Sequence, residues 1–312
     1  MKIAITGSTG LIGSALVERL TRDGHEVVRL TRGAKDDPRA LWNPAEGWIR
    51  DGAFDGVEAV VNLGGENIGG GRWTAARKAV LRSSRVEATR LIVDHLRANG
   101  IRPRVFISSS AVGFYGDRGQ ERLDEAAAAG RGFLADLCRD WEAAALAAEG
   151  VAERIVLLRT GVVIDANADA FKRLVLPFRL FAGGPLGSGK QWFPWIHLDD
   201  VVGAIQHALV TPVSGPVNLV APETMTEGAV AKVIGGVLKR PAFMPAPGFA
   251  LKLLLGQMAQ DLLLGSQRVI PTALEASGYQ FRYARFEDAA RAALGRPAKG
   301  AAVGAGVAGQ AR

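Results

Sequence analysis

The sequence predicts an α/β protein: a parallel sheet with helices on both faces, followed by a smaller, mainly helical C-terminal lobe. Three observations predict it. Short apolar runs alternate with helical periodicity through the first half of the chain, the pattern of a parallel sheet. The first run, Ile3 to Ile5, leads into Gly7, Gly10 and Gly13 at the spacing G-x-x-G-x-x-G, and a helical pattern begins at once. Past residue 222 the alternation gives way to helices.

Strand one is expected over 2–6, followed by a helix over 11–23 that Gly24 stops. Strand two is Glu26 to Leu30, and 33–56, rich in Gly, Pro, Asp and Trp, reads mostly as loop. Ala59 to Leu63 is a buried strand and 74–98 a long helix. Val105 to Ile107 is a strand running into Ser108-Ser109-Ser110; 133–149 is helical and Arg154 to Leu158 a strand. Ala168 to Phe181 reads as helix, 183–189 as turns, and Trp195 to Leu198 as a short strand. Asp199 is then expected to cap a helix through Leu209, and Val217 to Val220 closes the main sheet. These elements divide the chain into a nucleotide-binding domain over 1–165, completed by about 195–221, and a lobe over 166–194 and 222–295. The Gly/Ala/Val tail, 296–312, reads as disordered.

Hydrophobic residues at 48% and charged residues at 22% are ordinary for a globular chain. The net charge is +7, with no basic stripe interleaved with aromatics, so no nucleic-acid partner is expected. The longest apolar segment, Phe249 to Leu264, contains Lys252, Gln257, Gln260 and Asp261 and is too polar to span a bilayer. Phe249, Leu251, Leu254, Leu255, Met258 and Leu262 read as a helix packing on its lobe, with a partner or membrane-surface role as the alternative, and no membrane partner is expected. The apolar start is broken by Thr6, Gly7, Ser8 and Gly10 and reads as a strand, not a signal peptide. Cys138 is the only cysteine, which excludes an intrachain disulfide and points to a reducing compartment, the cytoplasm. The four histidines have no metal-ligand spacing, so no metal is expected.

Strand, glycine turn and helix in that order make a pyrophosphate cradle, the hallmark of a Rossmann-type doubly wound fold. Gly7, Ser8, Thr9, Gly10, Leu11, Ile12 and Gly13 form it, with amides and the positive end of the helix facing the anion. Strand two ends Thr31-Arg32, and no acid follows until Asp36 and Asp37. An acid at that point would hold the ribose 2′-hydroxyl of NAD; an arginine would hold a 2′-phosphate. The cofactor expected is therefore NADP(H), with a surface arginine as the alternative. Leu63-Gly64-Gly65 offers a flat wall to the adenine and ribose, and Ser108 and Thr160-Gly161-Val162 lie at carboxyl ends of later strands, where such sheets bind ligands.

Ser108-Ser109-Ser110-Ala-Val-Gly-Phe-Tyr115-Gly116 and Trp195-Ile-His-Leu-Asp-Asp200 make the sequence similar to the extended short-chain dehydrogenase/reductases, which include nucleotide-sugar epimerases and dehydratases. Arg72-Trp73, Lys78, Ser84-Arg85, Thr89, Trp141-Glu142, Gln191 to His197, Gly215 to Pro222, Arg240-Pro241 and Gly278 to Phe281 resemble the atypical YfcH-like subfamily over nearly the whole chain. That resemblance implies NADP(H) binding, an epimerase-like oxidoreductase and a C-terminal domain of unknown function at roughly 245–293. It also exposes a departure. The Tyr-x-x-x-Lys pair of typical members would fall, counting back from Glu142, on Leu134 and Cys138.

Ser110 with Tyr115, or with His197 or Asp199 from the second lobe, are the candidates left for acid–base work, and a reactive Cys138 is the alternative to an inert core thiol. Packing is the alternative for Tyr115, and a structural role for His197. Arg72, Lys78, Lys190, Trp192 and Trp195 are candidates for a small carbonyl or sugar-like substrate. Core packing is the alternative for the tryptophans and surface charge for Arg72 and Lys78. Two functions stand: an oxidoreductase or epimerase, and a non-catalytic NADPH-binding regulatory protein, which the resemblance associates with cell division. A homodimer or protein partner fits either.

Overall fold

The computed structural model describes residues 1–297. Most of the tail expected over 296–312 lies outside them. Six strands form the central sheet: β1 (Lys2–Thr6), β2 (Glu26–Arg29), β3 (Ala59–Asn62), β4 (Val105–Ala111), β5 (Ile155–Thr160) and β6 (Gly215–Leu219). Their order across the sheet is β6-β5-β4-β3-β1-β2, and every pairing is parallel. The chain runs from β1 outward to β2 and then crosses to β3 on the other side. Ligands in such sheets bind at that switch, outside the carboxyl ends of the strands. The inner strands are buried on both faces, which explains their unbroken apolar runs.

Helices cover both faces. Helix α1 (Leu11–Arg22) packs on β1 through Leu16 and Leu20, one turn apart. Two helices follow β3, α2 (Ala75–Ser83) and α3 (Val86–Ala98). Ile92, Val93 and Leu96 of α3 cover the opposite face of the sheet with Phe54 and Phe106. Helix α4 (Phe133–Leu146) lies beside α3. Helices α5 (Asp169–Arg179), α6 (Leu198–Val210) and α7 (Glu227–Leu238) follow in order. Helix α6 joins α1 on the first face through Val201, Ile205 and Leu209. The lobe has its own core, where Phe171, Val175 and Phe178 of α5 meet Val230 and Ile234 of α7, Phe286 and Trp195.

Several expectations need correction. The helix expected over 74–98 is two helices, because Glu66 claims the residues between them. Its N–H donates to Ser84 Oγ at 3.1 Å, and its carbonyl accepts Arg85 Nη2 at 2.8 Å. Asp199 does not cap α6. His197 does, its Nδ1 accepting the Asp199 N–H at 3.1 Å. The strand at Trp195–His197 pairs with Val162–Ile164 outside the main sheet. The loop over 33–56 contains a small hairpin, Trp42–Asn43 against Trp48–Ile49. Strand β4 runs on through all three serines to Ala111.

At the start of α7 the Glu227 carboxylate is buried. One oxygen accepts the Leu186 N–H at 2.8 Å and the other has no partner. Burial pushes its pKa up to about 7. The folded state therefore binds a proton that the unfolded chain releases near the ordinary pKa, and stability falls as pH rises between the two values. Glu227→Gln removes that loss. Thermal melts between pH 5 and pH 8, flanking the raised value, are expected to show a wild-type decline that the variant lacks; parallel curves would contradict it.

Candidate functional site

The carboxyl ends of β1, β3, β4 and β5 converge on one edge of the sheet. Beneath it lies a buried polar cluster. Thr6 Oγ1 donates to Asn62 Oδ1 at 2.7 Å and accepts the Gly64 N–H at 3.0 Å. Asn62 Nδ2 donates to Thr89 Oγ1 at 2.9 Å, which also accepts Trp141 Nε1 at 3.0 Å. This ties the glycine turn, the β3 edge, α3 and α4 into one rigid floor, since buried polar groups with satisfied partners fix a single geometry.

The glycine turn has the shape of a cradle. Gly7 sits at φ +63°, and a β-carbon there would lie 2.7 Å from the Leu63 carbonyl oxygen. A β-carbon on Gly13 would lie 2.1 Å from the Gly7 carbonyl oxygen. Helix and turn thus approach more closely than any side chain allows. Helix α1 has no side-chain cap, so its first amides are open to an anion. Ser8 is buried and Thr9 exposed at the mouth. Arg29, at the end of β2, reaches Ser8 Oγ at 3.5 Å and its carbonyl oxygen at 3.4 Å. The sequence reading missed this second cation; its signal was a charged residue next to the carboxyl end of β2. Arg32 is exposed, and among the described residues its guanidinium has no hydrogen-bond partner. Thr31 Oγ1 is held by the Arg39 carbonyl. The Gly161 and Val162 amides are taken by the Leu219 and Pro194 carbonyls, and Thr160 Oγ1 by that of Leu158. Those three therefore offer a wall and not donors.

Ser108 is buried beside Asn62, at 3.4 Å from its Nδ2. Ser110 is also buried and donates to Glu142 Oε1 at 2.6 Å. Glu142 in turn holds Arg159 through two bonds of 2.9 and 2.8 Å. Arg159 Nη1 reaches Tyr115 OH at 3.0 Å, and that hydroxyl donates to Asn218 Oδ1 at 2.7 Å. The Arg159 guanidinium stacks 3.6 Å above the Phe114 ring. The chain Ser110, Glu142, Arg159, Tyr115, Asn218 is continuous and buried, and it locks β4, α4, β5 and β6 together. Tyr115 is fully enclosed, and burial, partly opposed by Arg159, raises its pKa. Its phenol is not presented to the cleft. His197 is buried against Tyr283, its ring 3.9 Å away, and burial lowers its pKa against the pull of Asp199.

Leu134 and Cys138 occupy the two slots on α4. Both meet the turn after β4, where a β-carbon on Gly113 would lie 3.2 Å from Leu134 Cβ and 3.8 Å from Cys138 Sγ. Burial pushes the Cys138 thiol up to about 12, with Glu142 raising it further and Arg85 lowering it. Arg85 projects from the break between α2 and α3. It lies 5.2 Å over the Trp141 ring, and a β-carbon on Gly65 would be 3.2 Å from its Cζ. A cation from the α2–α3 break therefore acts on Cys138, the slot where typical relatives have lysine.

The substrate candidates separate. Trp195 is core: it packs on Phe286 at 5.1 Å and donates to the Glu223 carbonyl at 2.9 Å. Trp192 is half-exposed, bonded to Gln120 Oε1 at 2.8 Å, with Arg268 4.5 Å over its ring. Lys78 crosses between the lobes to Gln257 Oε1 at 2.6 Å, 5.0 Å from the Phe133 ring. Arg72 is exposed on the same side, near Gly256. Lys190 is exposed beside a cavity of about 400 Å³ that Ser188, Gln191, Lys252 and Gln260 line. Among the described residues no group of three or more His, Cys, Asp and Glu is placed to hold a metal ion. No described helix is long and apolar enough to cross a membrane.

A profile of the NAD dependent epimerase/dehydratase family matches residues 3–221. The chain belongs to that family. A domain of unknown function matches 246–293. Among family members, the chain is similar to the epimerase family protein SDR39U1 homolog, chloroplastic, of Arabidopsis thaliana, at 39% identity over 94% of this chain and 87% of the relative. A crystal structure of the human epimerase family protein SDR39U1 (isoform 2) with NADPH superposes with a TM-score of 0.84 at 33% identity, covering 95% of this chain and 99% of the human one. A nucleoside-diphosphate sugar epimerase from Corynebacterium glutamicum matches at a TM-score of 0.78 and 34% identity, over 95% of this chain and 58% of that one.

Proposed function

We propose that this family member is an NADP(H)-dependent oxidoreductase or epimerase acting on a small carbonyl or sugar-like substrate, in the cytoplasm. The observation that carries the reading is the glycine cradle with Arg29 and Arg32 on its β2 side. The cradle has room only for backbone against an anion, and Arg32, without a hydrogen-bond partner among the described residues, stands where a 2′-phosphate would need one. Gly7 to Gly13 hold the pyrophosphate in this reading, and Leu63 to Gly65 border the ribose. The NADPH in the human relative's structure supports the same assignment. The nicotinamide, when bound, supplies or takes the hydride.

The proton is handled differently from typical relatives. Tyr115 braces the sheet in this reading, and His197 caps α6. Ser110 remains as the hydroxyl that orients the substrate oxygen, its position fixed by Glu142 and Arg159. Arg85 supplies the positive charge that lysine would bring from the Cys138 slot. Desolvation lowers the Arg85 pKa, and a cation in low dielectric acts more strongly on a developing oxyanion. The second reading, a non-catalytic NADPH-binding regulator, is favoured by one observation: the Ser110 and Tyr115 hydroxyls are both already engaged.

Two experiments test this. Purified protein with NADPH and a panel of carbonyls and nucleotide sugars is expected to consume nicotinamide absorbance with at least one of them. Steady binding with no turnover across the panel would favour the regulator. Arg32→Ala is expected to weaken NADPH on the order of tenfold, the scale of one charge-assisted contact, and to leave NADH unchanged. An unaltered NADPH/NADH ratio would remove the phosphate assignment.

A further inference from the structure

The lobe bears a face that neither cofactor nor cleft accounts for. Large apolar side chains stand in solvent there: Phe243 is 75% exposed, Phe249 77%, Leu253 80% and Leu254 69%. Leu180 and Phe181 at the end of α5 extend it. The pieces are laced into one surface. Arg240 lies 4.2 Å over the Phe181 ring, the Met244 N–H donates to the Gly183 carbonyl at 3.0 Å, and the Gly187 N–H to that of Ala246 at 2.8 Å. The helix Gly248–Leu255 has no buried residue at all.

Two stretches of this lobe carry only one sign of charge. Segments 170–198 and 228–260 contain no Asp or Glu. They carry Lys172, Arg173, Arg179 and Lys190, and Lys232, Lys239, Arg240 and Lys252, all exposed. That is +8 out of a chain total of +7, leaving −1 for everything else. Exposed apolar clusters of this size mark an interaction site. A folded protein partner presents both signs of charge, and a nucleic acid offers nothing to Leu253 and Leu254. An anionic lipid surface offers both what the apolar residues need and what the cations need.

We propose that this face, centred on the helix Gly248–Leu255 and ringed by Lys239, Arg240 and Lys252, docks on an anionic lipid bilayer. The apolar side chains enter the headgroup boundary and the cations meet the lipid charge. The packing expected of this segment does not hold for the helix Gly248–Leu255, and the membrane-surface alternative takes its place. Docking would place the cavity beside Ser188 and Lys252 at the lipid surface.

The full chain is sedimented with phosphatidylcholine vesicles, with and without phosphatidylglycerol. Binding is expected only with the anionic lipid and is expected to fall with added salt. Leu253→Asp with Leu254→Asp is expected to abolish it. Lys239→Glu with Arg240→Glu is expected to weaken it on the order of tenfold or more, because each cation near the surface contributes about 1 kcal/mol. Circular dichroism melts unchanged in both variants would show that the fold is intact; should either variant melt early, Leu253→Ser and Lys239→Gln replace them. No binding to anionic vesicles, or binding indifferent to these variants, overturns the proposal. So does a concentration-dependent dimer in sedimentation velocity that Leu253→Asp dissolves, since the face would then be covered by a second copy.

Discussion

Arg159→Met is expected to cost about 3–5 kcal/mol of stability, the range for removing one partner of a buried ion pair. Arg159 and Glu142 are both almost fully buried and joined by two hydrogen bonds. Methionine keeps the side-chain volume but leaves the Glu142 carboxylate in a low dielectric with only the Ser110 hydroxyl to meet it. It also strips a donor from Tyr115 and a cation from the Phe114 ring. Adding Glu142→Gln removes the stranded charge, so the double variant is expected to recover part of the loss. Urea unfolding of the two variants checks this. A loss under about 1 kcal/mol for Arg159→Met, the scale of an exposed pair, would show that the network does not hold the sheet edge together.

The second large effect is on binding. Gly13→Ala puts a methyl group 2.1 Å from the Gly7 carbonyl oxygen and 2.8 Å from Ser8 Cα. The contact is with backbone on both sides, so the turn and α1 must separate. Overpacking of this kind costs about 1–3 kcal/mol. Taken from binding, that is a loss of NADPH affinity on the order of 10- to 100-fold. Gly24→Ala is the control. It has φ +81° with nothing within 4 Å, so it is expected to lose some stability and no affinity. NADPH binding by Gly13→Ala at wild-type strength would remove the cradle from the account.

The parallel sheet was legible because its strands are buried on both faces and its helices repeat every third and fourth residue, as Leu16 and Leu20 do. Gly7, Gly10 and Gly13 were legible because only a close backbone approach needs that spacing. What stayed hidden depends on contacts distant in sequence. Arg85 reads as helix surface in a run with Arg77, Lys78 and Arg82, and the Glu66 and Leu81 carbonyls and the Trp141 ring draw it inward. Tyr115 lies in a segment that resembles a ligand-binding loop, and Asn218, 103 residues away, decides its hydrogen bond. Arg159 carried a signal that was available: a charge closing the otherwise apolar run Ile155 to Leu158. A charge at that point in a central strand requires a buried counter-charge, and Glu142 is it.

The most direct test of the account is a calorimetric titration of the wild-type chain with NADPH and with NADH. The geometry of the cradle and the exposed Arg32 predict saturable one-to-one binding of NADPH and an affinity for NADH weaker by on the order of tenfold or more. Equal affinities, or no heat with either nucleotide, would contradict it.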